Sequence, residues 1–156
     1  AIIEEYIQGR ELYVGVYGND EVTVLPTQEM FFKKVPDGEP KFATYNAKWD
    51  KAYRKKWGID SGKAKKISEE IEKEIHDQCI KIFGLFKLSG YARIDFRLSN
   101  EDELVFIEAN PNPGIAKNED FPAAAKQAGT PYPELLEDIL KLALSKNKKI
   151  AISAAS

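Results

Sequence analysis

Two carboxylates, an arginine and an amide share one face of a β-hairpin that can be built from the stretch GYARIDFRLSNEDELVFIEANPNPG, Gly90 to Gly114. The polar SNEDE cluster separates two runs rich in aromatic and β-branched residues, and such runs place successive side chains on opposite faces. A four-residue loop over Asn100–Glu103 sets Ser99 opposite Leu104. Ile94, Phe96 and Leu98 then meet Ala109, Ile107 and Val105, all apolar. The other face holds Asp95 opposite Glu108, Arg93 opposite Asn110 and Arg97 opposite Phe106. A one-residue slip would turn half of the apolar set to water, so this register is strongly specified.

Like charges directly opposite each other destabilise a sheet. At ~5 Å and an effective dielectric of ~20 the Asp95–Glu108 repulsion is on the order of 3 kcal/mol. A hard cation such as Mg²⁺ would relieve it, since one or two carboxylates, an amide oxygen and substrate phosphates form its usual shell. Arg93 on a solvated sheet face would relieve it too. On the hairpin alone both readings stand.

The elements that must position this face follow from local patterns. IIEEYIQGRELYVGVYG reads as strand from about residue 2 with a turn at QGR, and EVTVLPTQEMFFKK adds two short strands around Pro26. The chain is thus expected to begin inside structure rather than with a leader. From Pro36 to Gly62 a polar, aromatic segment without clean periodicity reads as a long functional loop. Ser68 caps a helix with Ile71, Ile75, Cys79 and Ile82 on one stripe, and Gly84 weakens its end. Pro122 opens a short helix through Ala125 that Gly129 closes. A last helix from Pro133 is expected to turn Leu135, Leu136, Ile139, Leu140 and Ala143 inward, with a loose tail from Asn147. The class is α+β, a mostly antiparallel sheet with helices packed on one side.

The chain has 156 residues, enough for one domain or two small lobes with a core of their own. Its 23 basic and 25 acidic residues nearly cancel, which removes any general electrostatic case for nucleic acid or an anionic membrane. A lone cysteine, Cys79, excludes an internal disulfide framework, and a lone His76 leaves zinc without a ligand set. No apolar run approaches the ~20 residues that span a bilayer, and a cytoplasmic location is expected.

EEYIQGREL, NAKW, GYARIDFRL, IEANPNPG and FPAAAKQAG, in this order, resemble the C-terminal half of an ATP-grasp domain of the D-alanine–D-alanine ligase family. The resemblance covers residues 1–147, leaves 148–156 as tail, and implies that the N-terminal substrate domain and first ATP-grasp lobe lie outside the chain. It implies ATP and two Mg²⁺ ions, a carboxylate–amine ligation through an acyl phosphate, small amino-acid-like substrates, and the homodimer common among family ligases. By position it gives Asp95, Glu108 and Asn110 to the metals, with Glu108 bridging. Arg93 and the backbone amide of Gly114 go to the acyl phosphate and tetrahedral intermediate. Glu4 and the backbone of Glu5 and Ile7 go to adenine, Glu11 to the ribose, Phe42 to packing near the nucleotide and Lys48 to the terminal phosphate.

Two positions depart from the family pattern. Trp49 stands where Tyr is common, and Glu119 stands where family ligases place a Ser for the acceptor carboxylate. An acid at that place repels a carboxylate, so an acceptor other than D-alanine is expected. With one jaw of the cleft missing, the chain alone is expected to bind ATP weakly and to catalyse nothing. The alternatives are a non-catalytic nucleotide- or metal-binding or interaction module and a peptide or natural-product ligase with a different acceptor, both on the same fold.

Overall fold

The structure is a computed structural model that describes residues 3–36, 39 and 41–154, with side chains through Lys146. Strand β1 (Gly9–Gly18) is the spine of the molecule. It pairs antiparallel with β2 (Val22–Val24), β3 (Gln28–Phe32) and β5 (Gly90–Ser99), and the sheet order is β4-β3-β1-β5-β6. β4 (Ile59–Lys63) and β6 (Leu104–Asn110) are the outer strands of that path.

The expected turn at QGR is absent: β1 starts at Gly9 and runs through Arg10 without a break, while residues 3–8 are irregular. The reason is close approach. Gly9 faces Ser99 at φ +153°, where a Cβ would lie 2.1 Å from the Leu98 carbonyl oxygen, so glycine here opens a strand rather than a turn.

Alternation along β1 and β5 divides the core. Leu12, Val14, Val16, Ala92, Ile94, Phe96 and Leu98 pack against Ile75, Cys79, Ile82 and Phe83 of helix α3 (Glu69–Leu85). Ser68 starts that helix, its hydroxyl accepting from the Ile71 amide at 3.3 Å. Burial pushes the Cys79 thiol up to about 12, as befits a core filler rather than a nucleophile.

The opposite face is covered by the other four helices, so the helices divide between the faces rather than sharing one. The expected loop from Pro36 to Gly62 contains two of them and all but the last residue of β4. Helix α1 (Tyr45–Trp49) is capped by Thr44 and helix α2 (Lys51–Trp57) by Asp50, whose carboxylate accepts from two amides. Gly58 in the left-handed region ends α2. Ala47, Tyr53 and Trp57 pack on Tyr13, Met30 and Ile59. These capping residues favour short helices where apolar periodicity alone is too brief to register.

Helix α4 (Asp120–Gln127) and α5 (Tyr132–Ala154) close the far end of that face, Phe121, Ala124 and Ala125 meeting Leu25 and Leu135. The inward set of α5 differs from expectation. Leu135 and Ile139 pack inward, but Leu136 and Leu140 are exposed and Leu142 replaces Ala143. α5 continues past Asn147, and no Gly or Pro follows Pro133 to stop it. Ala155 and Ser156 lie outside the described residues.

The hairpin register holds from Arg93 to Asp95 and changes beyond. Arg93 faces Asn110, Ile94 faces Ala109 and Asp95 faces Glu108, but Phe96 faces Phe106 and Arg97 faces Val105. A bulge between Asp95 and Phe96 makes the outer half one residue out of step with strict alternation. Phe106 therefore joins the α3 side, its ring 6.3 Å from Phe96 and 5.9 Å from Phe86. Ile107 moves to the opposite side, beside Glu108.

Candidate functional site

The sheet face that carries Arg93, Asp95 and Glu108 floors a cleft of about 650 Å³. Its walls come from the irregular segment before β1, from the segment leading into α1 and from β6. Glu4, Glu5, Ile7, Glu11, Phe42, Lys48, Asp95 and Glu108 all line it, although they span more than a hundred positions in sequence. Arg93, Asn110, Gly114, Trp49 and Glu119 lie outside that lining. Ile107, turned inward by the bulge, joins it.

Arg93 grips Asp95 as a fork, Nε donating to Oδ1 and Nη2 to Oδ2, each at 2.7 Å. Its Nη2 lies 3.7 Å from Glu108 Oε1, and the guanidinium rests 4.9 Å over the Tyr13 ring. Asp95 is 4 % exposed, and burial pushes its carboxyl up to about 6 against the opposing pull of Arg93. Glu108 raises it further and Lys48 lowers it. Burial also raises the Tyr13 hydroxyl, with Glu11 and Asp95 adding to the effect. The face thus stores a desolvated acid beside a half-exposed one, with one arginine between them.

As donors for a metal, Asp95, Glu108 and Asn110 offer oxygen atoms only, which suits Mg²⁺. Asn110 Oδ1 accepts from the Asn112 amide at 2.9 Å, so the amide group is already turned by its own loop. Among the described residues no group of three or more acids, histidines or cysteines gathers closely enough to hold an ion unaided. The donor set fits a cation completed by ligand phosphates.

Beyond β6, the Glu119 carboxylate packs on Gly114. A Cβ on Gly114 would fall 1.5 Å from Glu119 Oε2, so the movable carboxylate, and not the backbone, fills the space at this glycine. Glu119 occupies the position before α4 without capping it. Asp120, which sequence reasoning missed, is raised by burial and held back by the charges of Arg93 and Arg54. Trp49 is 68 % exposed.

Arg97 was also missed. It donates to Ile7, Gly9, Lys41 and Glu11, and its side chain is 5 % exposed. Glu11 in turn accepts from Tyr13 Oη on Oε1 and from Arg97 and the Ala43 amide on Oε2. The signal available in sequence was a charged residue sharing a strand face with Asp95.

An antiparallel sheet with helices on both faces, an irregular segment crossing one cleft wall and an acidic hairpin at its floor define the C-terminal portion of an ATP-grasp domain. The family profile described as "D-ala D-ala ligase C-terminus" matches residues 1–141, and the chain belongs to that family. The D-alanine–D-alanine ligase of Geobacillus kaustophilus is 34% identical over 152 residues, covering 95% of this chain and 37% of the relative. The VanG D-Ala:D-Ser ligase of Enterococcus faecalis superposes with TM-score 0.66 at 25% identity, over 89% of this chain and 37% of that one. The D-alanine–D-alanine ligase of Coxiella burnetii superposes with TM-score 0.74 at 22% identity, over 98% and 39%. The chain therefore spans about two fifths of the length of the relatives it matches. Among the described residues no helix is long and apolar enough to cross a membrane.

Proposed function

We propose that this chain is the metal- and nucleotide-binding half of an ATP-dependent ligase that joins a carboxylate to an amine through an acyl phosphate. The observation that carries the reading is the convergence of Lys48, Asp95 and Glu108 on one cleft whose other wall is the Glu4–Ile7 segment. Asp95, Glu108 and Asn110 would hold two Mg²⁺ ions. When bound, these supply neutralisation of phosphate charge and in-line alignment of donor and acceptor. Lys48 contacts the terminal phosphate. Glu4 and the backbone of Glu5 and Ile7 read adenine, Glu11 reads the ribose, and Phe42 packs beside the nucleotide. Arg93, released from Asp95, stabilises charge on the acyl phosphate and the tetrahedral intermediate, and the Gly114 amide donates to the same oxyanion. A cytoplasmic setting, and a homodimer for the full-length protein, belong to the same reading.

The isolated chain lacks the opposing lobe that orients substrate and excludes water, so it binds nucleotide weakly and turns nothing over. Calorimetric titration with Mg·ATP, run beside Glu108→Gln, tests the assignment: heat in the parent and its loss in the variant are expected, and equal binding removes the metal site. Turnover by the 156-residue chain would overturn the claim of inactivity.

The acceptor differs from D-alanine in this proposal, because the Glu119 carboxylate sits on the loop that would receive the acceptor carboxylate. Formation of D-alanyl-D-alanine by the full-length protein at a rate near that of its best substrate would refute this. A non-catalytic binding module remains the competing reading, distinguished by an upstream glycine-rich loop and phosphate-binding lysines in the full-length sequence.

A further inference from the structure

Arg97 lies two residues beyond Asp95 on the cleft face of β5, lines the cleft, and has each of its N–H groups engaged by a protein acceptor. Nε and Nη2 donate to the Ile7 carbonyl at 3.1 and 2.7 Å, and Nη2 also donates to Gly9 at 3.1 Å. Nη1 donates to the Lys41 carbonyl at 2.7 Å and to Glu11 Oε2 at 3.1 Å. A guanidinium has five N–H donors in a rigid fork, and these five contacts engage all of them. No donor is left for a ligand.

Two of its partners, Ile7 and Lys41, belong to segments that no sheet or helix holds, while Gly9 and Glu11 belong to β1. Residues 3–8 precede β1, and residues 41–43 precede the cap of α1. Tyr6 crosses between them, its ring 5.3 Å from the guanidinium and its hydroxyl accepting from the Lys41 amide at 3.0 Å. The same two segments supply Ile7 and Phe42 to facing walls of the cleft. Without ladder hydrogen bonds of their own, these walls owe their separation to the group that ties them.

We infer that Arg97 is the positioning residue of the nucleotide half of the cleft, setting the distance between the Glu4–Ile7 wall and the Phe42 wall without donating a hydrogen bond to the ligand. The inference rests on the proposal that this cleft takes ATP. It also bears on Glu11: with three donors already on its carboxylate, Arg97 fixes how that group faces the cleft.

The test compares wild-type full-length protein with Arg97→Met and Arg97→Lys, reading ADP affinity, steady-state ligation and the unfolding midpoint. Lysine keeps a charge for Glu11 but cannot fork across Ile7 and Lys41, so it probes positioning in a chain that still folds. The expected result is an ADP Kd raised about tenfold in Arg97→Met and less in Arg97→Lys, with kcat at saturating ATP within about threefold of wild type. Arg97→Lys that folds and binds ADP within about twofold of wild type would overturn the inference. So would a fall in kcat with the ATP KM unmoved. If wild type itself binds no ADP, the nucleotide reading fails first, and the inference falls with it for that separate reason.

Discussion

Arg93 and Arg97 stand two residues either side of Asp95 on one strand face, yet their surroundings make them opposites. Arg97 spends all five donors on protein, chiefly on backbone carbonyls that cannot leave. Arg93 spends its short bonds on a single carboxylate, and that carboxylate belongs to the proposed metal set. One arginine is part of the wall and the other is on loan to it. A charge whose only strong partner can be claimed by a cation is free to move when the cation arrives, whereas a saturated fork stays put. On the proposed function, the cleft therefore has a fixed nucleotide end and a convertible chemical end.

The largest expected effect breaks the convertible end. Arg93→Met in the full-length protein should lower kcat by roughly 10²–10³, the usual size of a lost oxyanion donor, with the ATP KM changed little. An ATP KM that moved more than kcat would place Arg93 with Arg97 and erase the contrast.

The fixed end breaks differently. Gly9 accepts from Arg97 and pairs with Ser99 at φ +153°, and any Cβ there meets the Leu98 backbone. Gly9→Ala should cost about 3 kcal/mol of stability, seen in chemical unfolding, because neither colliding group is a flexible side chain. A loss below about 0.5 kcal/mol, the range of an indifferent surface site, would show that the start of β1 is not fixed at all.

Titration separates the ends next. Asp95 is held near 6 from an ordinary value of 3.8, so between those values the fold holds a proton that the unfolded chain has released. Stability from this group is therefore greatest below the window and declines as pH rises through it. Metal needs the carboxylate, so Mn²⁺ binding should weaken about tenfold for each unit below pH ~6. Mn²⁺ titrations at pH 5, 6 and 7 check the slope, and Asp95→Asn should remove both dependences. ADP binding without metal, governed by the Arg97 end, should stay nearly flat over the same range.

The convertible end was the more legible in sequence. The local pattern sets Asp95 opposite Glu108 and Arg93 opposite Asn110 correctly, but through a turn that sets Ser99 against Leu104; in the structure Leu98 faces Leu104, and the bulge between Asp95 and Phe96 brings the acidic pair back into place. Ser99 even organises the turn, its hydroxyl accepting from the Glu101 and Glu103 amides at 3.1 Å. The fixed end was not legible. Arg97 finds Lys41 and Ile7 56 and 90 residues away in segments without periodicity, and its one local mark is the strand face it shares with Asp95. Helices α1 and α2 were hidden for another reason. At five and seven residues they are made by the caps Thr44 and Asp50 rather than by a long apolar stripe.

The smallest expected effect lies where the two ends meet, at the bulge. Strict alternation would put Ile107 in the core and Phe106 on the cleft, but the extra residue in β6 exchanges them. Ile107→Ala should then raise the nucleotide Kd by roughly fivefold, about 1 kcal/mol of lost apolar contact, with stability almost unchanged. Phe106→Ala should do the reverse, costing about 1–2 kcal/mol of stability through the Phe96 and Phe86 rings while nucleotide affinity holds. Opposite assignments would restore the unbulged register, in which Phe96 faces Ile107 and Arg97 faces Phe106 while Asp95 still faces Glu108. The pair of variants thus tests, through two apolar side chains, whether the outer half of the hairpin is bulged while the acidic pair of the chemical end keeps its place.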